Sequence, residues 1–152
     1  MQFNIINAIF QYEVNLIGGI NIFQWEDFKE VADELIKNPQ EAYVRSAMGR
    51  YYYSIFGSTG DYLVNVMNKY EFDSKKDIHK KVYDELMNSH NSNEIHLAEC
   101  LKFLREIRNN ADYDISDKNE EYFKKNSQKV IKATNDAFDS LNVLINNPPY
   151  NF

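Results

Sequence analysis

The stretch Leu97-Ala98-Glu99-Cys100-Leu101-Lys102-Phe103-Leu104-Arg105-Glu106-Ile107-Arg108-Asn109-Asn110-Ala111-Asp112-Tyr113-Asp114 carries apolar residues at helical intervals and then an arginine. Leu97, Leu101, Leu104 and Arg108 follow one another at spacings of four, three and four, which puts three leucines and a guanidinium on one stripe. A cation at the end of a greasy stripe needs a partner. Asp112, four residues on, offers an ordinary helical ion pair worth about 0.2–0.5 kcal/mol. The other reading is that Arg108 lines a cleft and offers its planar fork of donors to a phosphate.

Helical spacing continues in both directions from this stretch. Phe3, Ile6, Phe10, Val14 and Ile17 recur at helical intervals before Gly18-Gly19, which reads as an amphipathic first element. Trp25 to Ile36 forms a second, with Phe28, Val31 or Ala32, and Leu35 inward. Asn38-Pro39-Gln40-Glu41 supplies a cap, a proline and an acid, the start of a third helix. Val44, Met48, Tyr51 and Ile55 make one seam on it, and Arg45, Gly49, Tyr52 and Phe56 a neighbouring one, so two of its faces are covered. Gly57 to Gly60 are placed to bend or break it before Tyr62 resumes the pattern. Ser74 with Asp77 resembles a capping box for a helix through Met87, and Asn88 to Asn93 reads as a loop. Asp117 and Glu120 open the last helix, with Phe123, Ser127, Val130, Thr134, Phe138, Leu141 and Ile145 at three-four spacing up to Asn146-Asn147-Pro148-Pro149. Only the short run Gly19 to Phe23 is ambiguous with a strand. The expected fold is all-α, an antiparallel bundle of five or six helices. The expected organisation is an N-terminal amphipathic extension over 1–24, the bundle over 25–146 and a tail over 147–152.

Composition narrows the function classes. With 152 residues, 43% of them hydrophobic, the chain is one domain able to bury a core. Its formal net charge of −6 repels nucleic acid as a whole, so any such contact must come from a local patch. The single cysteine, Cys100, rules out an intramolecular disulfide and reads as a small buried hydrophobe in a reducing compartment. The apolar run Phe3 to Phe23 is interrupted by Asn4, Asn7, Gln11, Glu13, Asn15 and Asn21, which fits neither a signal peptide nor a membrane span, and a cytoplasmic protein is expected. No GxxxxGK, GxSxG or CxxC string occurs, and no two of the three histidines have the spacing of a metal pair. Neither a metal nor a cofactor is expected.

Three blocks occur in an order that resembles one family. They are Glu41-Ala42-Tyr43-Val44-Arg45-Ser46-Ala47-Met48-Gly49-Arg50-Tyr51-Tyr52-Tyr53-Ser54-Ile55-Phe56, then His79 within Lys75-Lys76-Asp77-Ile78-His79-Lys80-Lys81, then Leu101 to Asp114. Together with Trp25 to Leu35 they resemble the HEPN domains (higher eukaryotes and prokaryotes nucleotide-binding) over about residues 25–145. The resemblance implies a HEPN-like bundle that dimerises, with the arginine motif of each subunit facing a shared cleft. Members of that family include metal-independent endoribonucleases acting as toxins or phage-defence effectors, often paired with a nucleotidyltransferase-type antitoxin, and also members without nuclease activity. Active members carry an arginine, a polar residue and, a few positions on, a histidine. Arg108 and Asn109 match the first two, but Tyr113 stands where the histidine is expected and no histidine follows it.

That departure bears on chemistry. Metal-free RNA cleavage needs a base for the ribose 2′-hydroxyl, charge stabilisation at the phosphorus and a proton for the leaving oxygen. Histidine suits the proton transfers because its ordinary pKa is near 6.5, whereas that of tyrosine is near 10. The catalytic candidates carried over are Arg108, Asn109 and Tyr113. The ligand-binding candidates are Arg45, Arg50, Tyr52, His79 and Asp112. His79 lies beside four lysines and reads either as a phosphate contact or as part of a solvated helix face. Arg45 and Tyr52, seven apart, share a face and can equally hold the bundle together by an arginine-ring contact. The resemblance further implies that Arg50 neutralises Asp112 and frees Arg108 for a ligand. Two functions are therefore expected from the sequence: an RNA- or nucleotide-binding toxin or defence protein with a degenerate ribonuclease motif, or a non-catalytic dimerisation module that partners a nucleotidyltransferase or a defence complex. A nucleotide-binding sensor using the same cleft is a third.

Overall fold

The computed structural model describes residues 23–69, 77–114 and 120–149. Over these residues the chain is an all-α bundle of five helices: α1 (Asp27–Leu35), α2 (Glu41–Asp61), α3 (Ile78–Met87), α4 (Ser92–Tyr113) and α5 (Glu120–Asn146). The helix expected over Phe3 to Ile17, its Gly18-Gly19 stop, Ser74 and Asp117 lie outside the described residues. No helix among the described residues is long and apolar enough to cross a membrane.

The most buried helix is α2, which touches α1, α4 and α5 along its length. Val44, Met48, Tyr51 and Ile55 are all buried, so the first expected seam is covered, whereas on the second only Tyr52 is buried and Arg45, Gly49 and Phe56 stay partly exposed. Bonds between helix ends set the directions. Arg45, near the start of α2, reaches the last turn of α4, while Tyr62, just beyond the end of α2, donates to Glu94 in the first turn of α4 at 2.7 Å. The two helices are therefore antiparallel. Glu94 is buried and also accepts from Ser89 Oγ, so its carboxylate joins the loop before α4 to the end of α2. Trp25 against Gly57 and Asp33 against Tyr51 show that α1 also runs antiparallel to α2.

Local chemistry explains the starts of α2 and α4. The side chain of Asn38 accepts from the Gln40 amide at 3.0 Å, and α2 opens two residues after Pro39 with Gln40 at its extended N-cap. Asn91 caps α4 by accepting from the Asn93 amide at 2.9 Å. Asp77 occupies the N-cap position of α3 in the left-handed region, with φ 54°, rather than the third helical position expected of it. In α5 the seam drifts from the expected one: Ala137 and Leu144 are buried, while Ile145 is exposed. The buried residues Phe123, Val130, Thr134, Ala137, Leu141 and Leu144 keep an average spacing of about 3.5 residues, whereas the expected series takes two four-residue steps in succession, Val130 to Thr134 to Phe138, and so slides off the buried face.

Gly57 to Gly60 do not break α2, which runs through them to Asp61 and continues as a π-helical turn, Tyr62–Val66. The glycine at 57 serves a close approach instead. A Cβ there would sit 1.9 Å from Cδ2 of Trp25, so the indole lies directly on the bare backbone of α2. Gly57→Ala gains about 0.5–1 kcal/mol of helix propensity but costs about 1–3 kcal/mol in displaced packing, and the clash is expected to win. Because Trp25 is the single tryptophan, its fluorescence reports the displacement directly. A red-shifted emission with a lower melting temperature is the expected result, and an unchanged emission with a higher one would refute the close packing.

Candidate functional site

The stripe Leu97, Leu101, Leu104 is buried as its spacing requires, and the next residue on it, Arg108, keeps only 15% of its side chain exposed. Here the polypeptide brings a guanidinium to the point where α4 passes α2. Arg108 Nε lies 2.7 Å from Asp112 Oδ2, but its N–H is not aimed at that oxygen, so the pair is a charge contact rather than a hydrogen bond. The remaining nitrogens donate to neutral groups: Nη1 to Asn109 Oδ1 at 3.1 Å, and Nη2 to the hydroxyls of Tyr53 at 2.9 Å and Tyr113 at 3.3 Å. Both tyrosine rings also lie under the cation, with Cζ 5.2 Å and 5.3 Å from their centroids. Burial works against the charged form of Arg108, but Tyr53, Asp112 and Tyr113 outweigh it and hold the guanidinium protonated.

A histidine faces the same corner from the first turn of α3. Tyr52 and the His79 ring share a 2.6 Å hydrogen bond at Nδ1, and the ring lies 4.2 Å from that of Phe56. Burial, then the positive charges of Arg105 and Arg108, push the His79 pKa below its usual 6.5, so the imidazole is neutral at pH 7. Burial likewise pushes the Tyr52 hydroxyl above its usual range, so that it keeps its proton. With Nδ1 committed to Tyr52, Nε2 is the ring nitrogen left to a ligand among the described residues. These groups border a pocket of about 390 Å³ between α2, α3 and α4, lined by Tyr52, Phe56, His79, Arg105 and Asn109 among others.

The depressed His79 pKa has a consequence for stability. An unfolded histidine takes up a proton near 6.5 and the folded one only at lower pH, so between the two the unfolded state binds more protons and stability falls as pH drops. Denaturant unfolding at about pH 7.5 and about pH 5.5 is expected to give the lower stability at the acid value, with His79→Gln reducing the difference. Equal pH dependence in the two proteins would rule out a half-buried imidazole held neutral by its surroundings.

The structure thus gathers Arg108, Asn109, Asp112, Tyr113, Tyr52 and His79. It does not bring Arg45 and Arg50 to them. Arg45 Nη1 donates to the carbonyls of Asn110, Ala111 and Asp114 at 3.4, 3.0 and 3.2 Å, its Nε to Glu41 at 2.7 Å, and its guanidinium covers the Phe123 ring at 4.5 Å. It is a fastener for the last turn of α4. Arg50 lies over the Phe28 ring of α1 at 4.6 Å, and Asp112 pairs with Arg108 rather than with Arg50. The expected neutralisation of Asp112 by Arg50 is therefore corrected: Arg50 points to another neighbour of α2.

Sequence reasoning missed Arg105 and the ring of Phe56 as members of the site. Arg105 lies three residues before Arg108, one turn away on the same face of α4, which was a usable signal. Phe56 gave none, because an aromatic at helical spacing reads first as core. Among the described residues no cluster of histidine, cysteine and carboxylate groups could hold a metal ion. Cys100 is buried, and burial pushes its thiol pKa up to about 11.

The chain is similar to the uncharacterized protein MJ0992 of Methanocaldococcus jannaschii, with 33% identity and 62% of each chain covered. It therefore spans 62% of the length of that relative. No protein-family model matches the chain, and no solved structure matches it.

Proposed function

We propose that this protein is a HEPN-type domain that binds RNA or a nucleotide at the Arg108 cleft, acting as a cytoplasmic homodimer in a toxin or phage-defence setting, with a cognate antitoxin or defence protein as partner. The observation that carries the reading is the meeting of a charged, largely buried Arg108 with a neutral His79 around Tyr52 and Tyr53. Most of the donors of Arg108 go to neutral oxygens, so among the described residues only Asp112 offsets its charge, and a phosphate can still compete for it.

In a metal-independent cleavage, Arg108 stabilises the extra negative charge that develops on the phosphorus. With its Nδ1–H donating to the Tyr52 oxygen, the neutral imidazole of His79 accepts the 2′-hydroxyl proton at Nε2 as the 2′-oxygen bonds to phosphorus, and the bond to the 5′-oxygen breaks with a proton supplied by water at the cleft mouth. Tyr113, in the position where active relatives carry histidine, hydrogen-bonds Arg108 and offers an exposed ring for a base to stack on. A second reading is a non-catalytic dimerisation or interaction module, favoured by the same Tyr113, a residue 69% exposed beside Arg108.

The test is incubation of the purified chain with mixed single-stranded RNA in the presence of a chelator, beside Arg108→Ala. Cleavage lost in the variant supports the ribonuclease reading. Arg108-dependent binding without cleavage reduces it to a binding domain, and the absence of both leaves the interaction module.

A further inference from the structure

The pocket between α2, α3 and α4 is not lined by Arg108, and its own lining divides into an apolar floor and a charged mouth. Val82, Leu101 and Tyr52 are 1%, 4% and 1% exposed and make the floor. The rings of Tyr52, Phe56 and His79 pack on one another, with centroids 5.6 Å apart for Tyr52 and Phe56 and 4.2 Å for Phe56 and His79, so they form wall rather than a stacking platform. The volume, about 390 Å³, lies in the range of about 300–1,000 Å³ that small ligands occupy. The mouth carries Lys102, Arg105 and Glu106, all exposed. Lys102 and Glu106 stand at the i,i+4 spacing that forms ion pairs at Lys29–Asp33, Lys80–Asp84 and Lys132–Asp136. Yet neither they nor Arg105 make a hydrogen bond or ion pair among the described residues. The charge of Arg105 acts on the His79 ring and the Tyr52 hydroxyl, which line the same pocket.

We infer that this pocket binds a small aliphatic monocarboxylate, its hydrocarbon chain on Val82, Leu101 and Phe56 and its carboxylate on Arg105 and Lys102. Such a site is separate from the RNA reading, since it uses neither Arg108 nor Tyr113. Two cations against one carboxylate leave the mouth one net positive charge, which suits a singly charged head and disfavours a phosphate dianion beside Glu106. The planar fork of Arg105 matches the two oxygens of a carboxylate. An uncharged apolar ligand fills the floor without using the cations, and a short polar acid uses the cations but leaves the floor in water. Only a molecule with both parts uses the whole lining.

Calorimetric titration of the full chain with acetate, butanoate, hexanoate and octanoate reads the floor and the mouth separately. Each added methylene is expected to tighten binding by about two- to fourfold until the cavity is full, after which the gain stops. Octan-1-ol, with the same chain and no charge, is expected to bind at least about tenfold more weakly than octanoate, and octyl phosphate no more tightly than octanoate. Arg105→Glu alters an exposed residue without bonds to the fold, so it is expected to keep the melting temperature and to weaken octanoate by about tenfold or more, leaving octan-1-ol unchanged. Lys102→Glu, at another exposed position, is expected to act in the same direction. In an NMR spectrum of the histidine rings, octanoate is expected to shift the His79 signal and to leave those of His90 and His96, which do not line the pocket. The inference is overturned by an absence of binding, by octan-1-ol binding as tightly as octanoate, or by octyl phosphate binding more tightly. It is overturned equally by an octanoate affinity that survives both charge reversals, or by a His79 signal that does not move. Single-stranded RNA binding measured on the same samples keeps the two readings apart. Octanoate binding without RNA binding overturns the RNA reading alone, and RNA binding without octanoate binding overturns this site alone.

Discussion

Replacing Arg108 by alanine is expected, under the ribonuclease reading proposed for the cleft, to lower chelator-resistant RNA cleavage by about a hundredfold or more, the loss seen when one donor to a developing oxyanion is removed. The effect is large because no other described group in the cleft carries the same combination. Arg108 is 15% exposed, held protonated, and fixed by two tyrosine hydroxyls and the Asn109 amide. A donor array already held in place has little reorganisation left to undergo when charge develops, which is why such arrays act more strongly than mobile surface cations. Arg108→Lys keeps the charge but not the planar fork, and should recover only a minor part of the activity. The stability cost should be small, since the pair with Asp112 is of the i,i+4 kind and worth tenths of a kcal/mol. Unchanged cleavage in Arg108→Ala would remove the guanidinium from the mechanism, and loss of cleavage with a collapse of the melting temperature would make its role architectural.

Arg45→Ala should show the opposite pattern, a loss of stability by about 2–4 kcal/mol. The guanidinium satisfies three carbonyls at the C-terminal end of α4, where the helix leaves acceptors unpaired and the macrodipole favours a cation. Hydrogen bonds from a charged donor contribute about 1.5–3 kcal/mol each and are not additive, and the stack on Phe123 is lost with them. For a chain of this size the melting temperature should fall by about 5–15 °C. Arg45→Lys is expected to restore less than half, because an ammonium cannot span several carbonyls at once. A fall of under about 2 °C in Arg45→Ala would show that water replaces the guanidinium at little cost.

These two arginines illustrate how far the sequence carries. Arg108 was legible because the stripe Leu97, Leu101, Leu104 ends on it, and the i,i+4 partner Asp112 was legible for the same reason. Arg45 was not, since its partners Asn110, Ala111 and Asp114 are backbone carbonyls 65 or more residues away, and a carbonyl has no signature in a sequence. Arg50 could not be told from a site residue until Phe28 was seen beneath it. Gly57 looked like a breaker because glycine weakens helices on average, while here it admits an indole that only the packing of α1 on α2 brings near.

The sequence alone determined that this chain is an all-α bundle, where most of its helices begin and end, and that α2 is buried on more than one face. Those are matters of periodicity and capping, which depend on residues a few positions apart. Only the tertiary structure decided that His79 from α3 meets Tyr52 from α2, that Arg105 and Arg108 depress its proton affinity, and that Phe56 and α4 enclose a pocket between them. The physical reason is that a cleft is made by side chains from separate helices, whose relative rotation is set by packing along the whole length of each helix rather than by any local run of residues.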